Sequence, residues 1–163
     1  MELKRHFSLR TVLVGLYLLA FCAYLVYGLM PVEAFGYNVD SKLLIPSIDL
    51  ASDVTKLVLE DDELPTPDTI VGSFSSHKHK TLLIGHSSTV FRDLHNVNIG
   101  DEIVYGDAVY IITAYNVLEK SEVNMRQILS TSNRDSLILM TCSGEDYGNG
   151  DSSHRLIVSA VLR

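Results

Sequence analysis

An uncharged run over residues 11–32, TVLVGLYLLAFCAYLVYGLMPV, constrains this chain more than any other feature in it. A helix needs roughly 20 apolar residues to cross about 30 Å of hydrocarbon, and this run is long enough. Lys4, Arg5 and Arg10 stand just before it, and acidic residues follow. The positive-inside rule therefore predicts a single-pass protein of the cell membrane: residues 1–10 cytoplasmic, 11–32 spanning as a transmembrane signal anchor, and the rest extracellular. The rival reading is a cleaved signal peptide, whose apolar region is usually only about 7 to 15 residues long. Val32 and Ala34 offer it a weak cleavage site. Either topology exports the remainder.

The formal charge is −7, and the basic N-terminus makes the exported part more acidic than the whole. Such a surface repels phosphate backbones, and no basic stripe interleaved with aromatics runs along it, so no nucleic-acid partner is expected. Cys22 lies inside the apolar run and Cys142 in the exported part. Membrane depth separates them, so a disulfide between them is not expected, and the thiol of Cys142 needs another explanation.

After a short linker at 33–41, strand-like segments alternate with turns. Richness in Ile, Val, Leu and Tyr predicts strands at 42–48, 56–59, 81–85, 102–105, 108–118, 136–141 and 155–162. Gly106-Asp107 suits a tight hairpin, since glycine takes positive φ without a Cβ clash. Asn124 as N-cap, with Gln127 three residues on, predicts a short helix over 124–130. Short strands with one or two short helices give a mainly β fold, a closed or nearly closed barrel over 42–163. Glu60, Asp61, Asp62 and Glu63 offer oxygen ligands of the kind calcium takes, but their spacing matches no dedicated calcium loop. A solvated loop is the simpler reading, and no cofactor or metal is expected.

Three residues stand where chemistry is feasible. Cys142 follows the apolar strand SLILMT and opens a glycine-containing segment, a place where a thiol meets substrate at the rim of a sheet. His86 ends another apolar strand, TLLIG, and an imidazole exchanges protons near neutral pH. Arg155 opens the last strand, RLIVSAVL, and its guanidinium suits a developing oxyanion. The cysteine and the histidine each have a blander explanation alone, a buried thiol and a surface histidine.

Together these segments resemble the sortase family of cysteine transpeptidases. Ile138-Leu139-Met140-Thr141-Cys142 is similar to the family's Thr-Leu-x-Thr-Cys strand, departing at its first residue. Gly85, His86, Phe91, Leu94, Gly100 and Asp101 match its histidine segment, and Arg155 follows Cys142 at a family-like spacing. LLIPSIDL at 43–50 resembles its first barrel strand, so the likeness covers 42–163 in the family's order.

The resemblance implies a closed eight-stranded barrel. It also implies an enzyme that cuts a C-terminal sorting motif, commonly Leu-Pro-x-Thr-Gly, in secreted proteins and joins the new carboxyl end to an amine on peptidoglycan or another protein. In that scheme Cys142 forms a thioester, His86 moves protons, Arg155 binds the oxyanion, and Thr141 supports substrate or simply fills the strand. No second apolar span follows Arg163, which argues against a pilus-polymerising member with a C-terminal anchor. Leu64-Pro65-Thr66-Pro67-Asp68 departs from a sorting motif at its last two positions and reads as a loop. The alternatives are a hydrolytic cysteine peptidase of the same fold and a non-catalytic wall-associated binding module. An added amine separates the first from a transpeptidase; the second expects a lost reactive residue, and none is lost.

Overall fold

The spacing of aliphatic residues along the strands decides which side chains fill the interior and which face outward. The structure is a computed structural model that describes residues 39–59, 64–77, 79–148 and 151–163. Among them, eight strands close one barrel: β1 (Val39–Ile45), β2 (Leu50–Lys56), β3 (Val71–His77), β4 (Lys80–Ile84), β5 (Glu102–Tyr105), β6 (Ala108–Glu119), β7 (Ser136–Asp146) and β8 (Ser152–Leu162). Their order around the barrel is β1-β2-β3-β4-β7-β8-β6-β5, and β1 pairs with β5 to close it. Closure leaves no edge strand to be protected.

The interior is aliphatic. Leu43, Ile45, Val54, Leu83, Ile103, Leu139 and Val158 are fully buried there, with Phe91 and Leu94 packed among them from the connection after β4. Each such side chain contributes roughly 1.5 to 3 kcal/mol on leaving water. A second cluster holds Leu57, Leu82 and Ile84, with Leu64, Met125, Ile128, Leu129, Ile138 and Met140 packed against it. Leu82 and Ile84 alternate with Leu83 along β4, so this cluster lies on the outer face of the sheet that Leu83 lines from inside.

Two joints of the barrel are parallel, β2 with β3 and β4 with β7. Parallel neighbours cannot be joined by a tight hairpin, so long connections leave the ends of β2 and β4. The single α-helix among the described residues, α1 (Met125–Ile128), lies in the connection from β6 to β7, and its first turn is capped by Asn124 Oδ1 accepting from the Gln127 N–H at 3.2 Å. The predicted cap is therefore present, on a helix shorter than expected. Gly106 at φ 59° turns β5 into β6, as its hairpin position predicts.

Several boundaries differ from expectation. The strand expected at 42–48 ends at Ile45, where Pro46 begins a 3-10 turn (Pro46–Ile48), and it starts at Val39, inside the expected linker. The strand expected at 56–59 lies earlier, at Leu50–Lys56, because Leu50, Ala51, Ser52, Asp53 and Val54 pair with β1. β3 was not anticipated: VGSFSSH has few aliphatics, yet Val71, Gly72 and Ser73 pair with β2 and Gly72, Ser73 and Phe74 with β4. The anchor at 11–32 and the acidic run 60–63 lie outside the described residues. Among the described residues, no helix is long and apolar enough to cross a membrane.

Candidate active site

The parallel β4–β7 joint brings the ends of two distant segments side by side. Ile84 pairs with Met140, an offset of 56 positions that also separates His86 from Cys142. His86 stands two residues past the last pair on one strand and Cys142 two past it on the other, and both line the same cleft. One hydrogen bond continues the alignment: the buried hydroxyl of Thr141 donates to the Gly85 carbonyl at 2.7 Å. Thr141 faces the interior with Leu137 and Leu139, so its hydroxyl fixes the backbone that carries His86. The neighbouring turn is tight. The His86 carbonyl accepts from the N–H groups of Thr89 and Phe91 at 3.2 and 3.0 Å. A Cβ on Gly85 would come within 2.5 Å of Val90 Cγ1 and 3.0 Å of the Phe91 ring, which accounts for glycine before the histidine.

On the other side of the cysteine, Cys142 is the direct cross-strand partner of Arg155 in the antiparallel β7–β8 pair. Directly opposed residues share a face with their Cβ atoms about 4.5 to 5.5 Å apart. Met140 with Ile157 and Ile138 with Ser159 continue that outward row, whereas Thr141 with Leu156 and Leu139 with Val158 form the inward one. Cys142 is a free, half-buried thiol.

The expected placement at a strand end needs correction. β7 runs on through Cys142 to Asp146, and β8 begins at Ser152, so Arg155 is its fourth residue, not its first. The thiol and guanidinium therefore sit on the outer wall of the barrel rather than in its mouth.

A cleft of about 570 Å³ lies over this wall, with His86, Thr141, Cys142 and Arg155 among its lining residues. Leu59, Leu64, Ile84, Met125, Leu129 and Met140 give it an apolar floor and sides, joined by Thr66. The loop read from sequence as 64–68 thus forms part of the cleft wall. It is tied to the histidine turn by Thr89 Oγ1, which donates to the Asp68 carbonyl at 2.6 Å, and the Asp68 carboxylate stands 3.9 Å from His86 Nε2. His86 is about one-third exposed, at 37%, open to an entering group.

Arg155 is held more closely. Its side chain is 16% exposed, and Nη1 donates to the carbonyls of Ser152 and His154, both at 2.9 Å. Nη2 donates to Asp151 Oδ1 at 2.6 Å. Lys120, from the 3-10 turn after β6, binds the other oxygen of the same carboxylate. Asp151 and Lys120 were not singled out from the sequence, where they are isolated charges 31 positions apart. The four carboxylates 60–63 weighed as calcium ligands lie outside the described residues. Among the described residues, no group of three or more His, Cys, Asp or Glu gathers as a metal site.

The family model described as the sortase domain matches residues 43–163, and the chain belongs to the sortase family. Its fold is similar to that of sortase A from Corynebacterium diphtheriae in a lid-mutant form, at 23% identity and TM-score 0.62, covering 78% of this chain and 71% of that one. Sortase A from Listeria monocytogenes aligns at 19% identity and TM-score 0.59, over 77% and 87% of the two chains. Sortase C1 from Streptococcus suis aligns at 21% identity and TM-score 0.60, over 80% and 75%. No curated protein matches the sequence.

Proposed function

We propose that this chain is a membrane-anchored cysteine transpeptidase that cleaves a sorting motif of the Leu-Pro-x-Thr-Gly kind in secreted proteins. The acyl group passes to an amine on peptidoglycan or on another protein. The observation that carries this reading is the cleft itself: a free thiol lies opposite a guanidinium in strand register, a histidine stands two residues past the end of the neighbouring strand, and all three line one largely apolar cleft.

The chemistry follows from those positions. The Cys142 thiolate attacks the scissile carbonyl of an extended peptide lying in the trough, and the carbonyl oxygen becomes an oxyanion. Arg155 retains its Nε–H and one Nη2 hydrogen for that oxyanion, since its other donors are held by Ser152, His154 and Asp151. His86 protonates the departing amine as the tetrahedral centre collapses to the Cys142 thioester. It then accepts a proton from the incoming amine, which attacks the thioester, so that the Cys142 thiolate and a protonated His86 are restored for the next cycle. Thr141 acts one step back, by holding the Gly85 backbone.

Anchoring by residues 11–32 would keep the cleft at the outer membrane surface, where exported substrates and the wall amine are both within reach. Protease added to intact cells should then digest the domain; its release into the medium beginning at Phe35 would instead mean a cleaved signal peptide.

The direct test of the reaction exposes the soluble domain to a pentapeptide library with candidate amines and reads the products by mass spectrometry. A ligated product supports transpeptidation. Hydrolysed peptide alone, with every amine tried, would turn the assignment to a peptidase.

A further inference from the structure

An arginine that is to meet a developing oxyanion must present its remaining N–H groups in one direction before the charge forms. Two backbone carbonyls hold Arg155 through Nη1 alone, at one end of the planar fork. A second anchor on Nη2 sets the plane, and Asp151 Oδ1 supplies it at 2.6 Å.

The carboxylate is itself fixed. Its Oδ1 also accepts from the Ser152 N–H at 2.9 Å, and the Asp151 carbonyl accepts from the Tyr147 N–H at 3.0 Å across the β7–β8 turn. A carboxylate touching Arg155 alone would cancel the positive charge an oxyanion needs. Here Lys120 sits on the other oxygen, so two cations share one anion and the group remains positive.

We propose that Asp151 is a positioning residue that sets the plane of the Arg155 guanidinium, and that Lys120 keeps the assembly cationic while holding Asp151 in place. This rests on the reading of Arg155 as the oxyanion-binding group. Hydrogen bonds from Lys120, then Arg155, then the Ser152 N–H hold the Asp151 carboxyl well below the usual carboxylate range, so the anchor stays ionised at any working pH.

The test uses single-turnover acylation of the soluble domain by a peptide that the wild type cleaves, beside the ¹⁵N signals of the Arg155 Nη atoms. Asp151→Ala should slow acylation about tenfold or more with KM changed less than about twofold, because misdirection of a group costs rate rather than binding. Asp151→Asn, which keeps an acceptor in place and guards against a misfolded alanine variant, should fall between that variant and the wild type. Lys120→Met should slow acylation by a smaller factor. In an Arg155→Lys background, where the planar fork is already gone, Asp151→Ala should add little. The Arg155 Nη atoms should give distinct, slowly exchanging signals in the wild type that merge in Asp151→Ala.

Wild-type acylation by both Asp151 variants, or losses that multiply in the Arg155→Lys background, would overturn the positioning role. Merged Nη signals in the wild type would overturn the tether itself. Failure of the wild type to form a thioester with any peptide would overturn the functional reading instead, and the Nη signals would still report on the tether.

Discussion

The two faces of the β4–β7–β8 sheet are made from the same strands and do opposite things. Inward, Leu83, Leu139, Leu156 and Val158 are aliphatic and almost wholly buried. Outward, the same strands carry Ile84, Met140, Cys142 and Arg155, which line an open cleft. A side-chain period of two lets neighbouring residues in one strand fill the core and line the cleft separately. Thr141 is the residue that serves both: it packs inward, and its hydroxyl fixes the backbone under His86.

This division predicts sharply different outcomes for adjacent substitutions. The largest effect is expected outward, where Arg155→Lys keeps the charge but loses the fork and should slow acylation by about a hundredfold or more. Its urea midpoint should stay close to the wild type. A midpoint that fell in step with activity would show that Arg155 supports the barrel rather than the reaction.

Inward, Leu139→Ala removes a fully buried side chain and should cost about 2 to 5 kcal/mol of stability in urea denaturation. Activity per folded molecule should change much less. Thr141→Val tests the residue shared by both faces. It keeps the volume but leaves the buried Gly85 carbonyl without its donor, a loss of about 1 to 3 kcal/mol, and turnover should fall with it. Unchanged turnover at reduced stability would confine Thr141 to the inward role.

The smallest effect is expected at the edge of the cleft. Asn124→Ala removes the cap of a helix only four residues long and should cost about 0.5 to 2 kcal/mol locally. Because Met125 and Leu129 wall the trough, KM for peptide should rise more than kcat falls.

Much of this arrangement was legible in the sequence, and the rest was hidden for identifiable reasons. His86, Cys142 and Arg155, which line one cleft, stood out in the sequence because each follows or joins an apolar strand and their motifs stand in family order. Long strands with regular aliphatics, such as β6, were also found. β3 was missed because Gly72, Ser73 and Ser75 carry no β signature of their own; pairing on both sides makes them a strand. The polar Ser52 and Asp53 likewise hid the true extent of β2. Cys142 was placed at a strand end because Gly144 and Gly148 read as a loop, yet β7 remains paired with β8 through Ser143 and again at Asp146. Asp151 and Lys120 carry no local pattern at all. The strand register that pairs Glu119 with His154 and the turns beyond it bring them together.

The outward face is the site of chemistry only if its thiol forms the covalent bond. The soluble domain should be mixed with a peptide shown to be consumed, quenched in acid and analysed as an intact mass and after proteolysis. The wild type should gain the acyl fragment on the peptide containing Cys142 and lose it when an amine is added. Cys142→Ala should gain nothing and turn over no peptide, while its stability in urea denaturation stays within about 0.5 kcal/mol of the wild type, since a half-exposed thiol contributes little to packing. Continued turnover by Cys142→Ala, or an acyl group carried on another residue, would contradict the account.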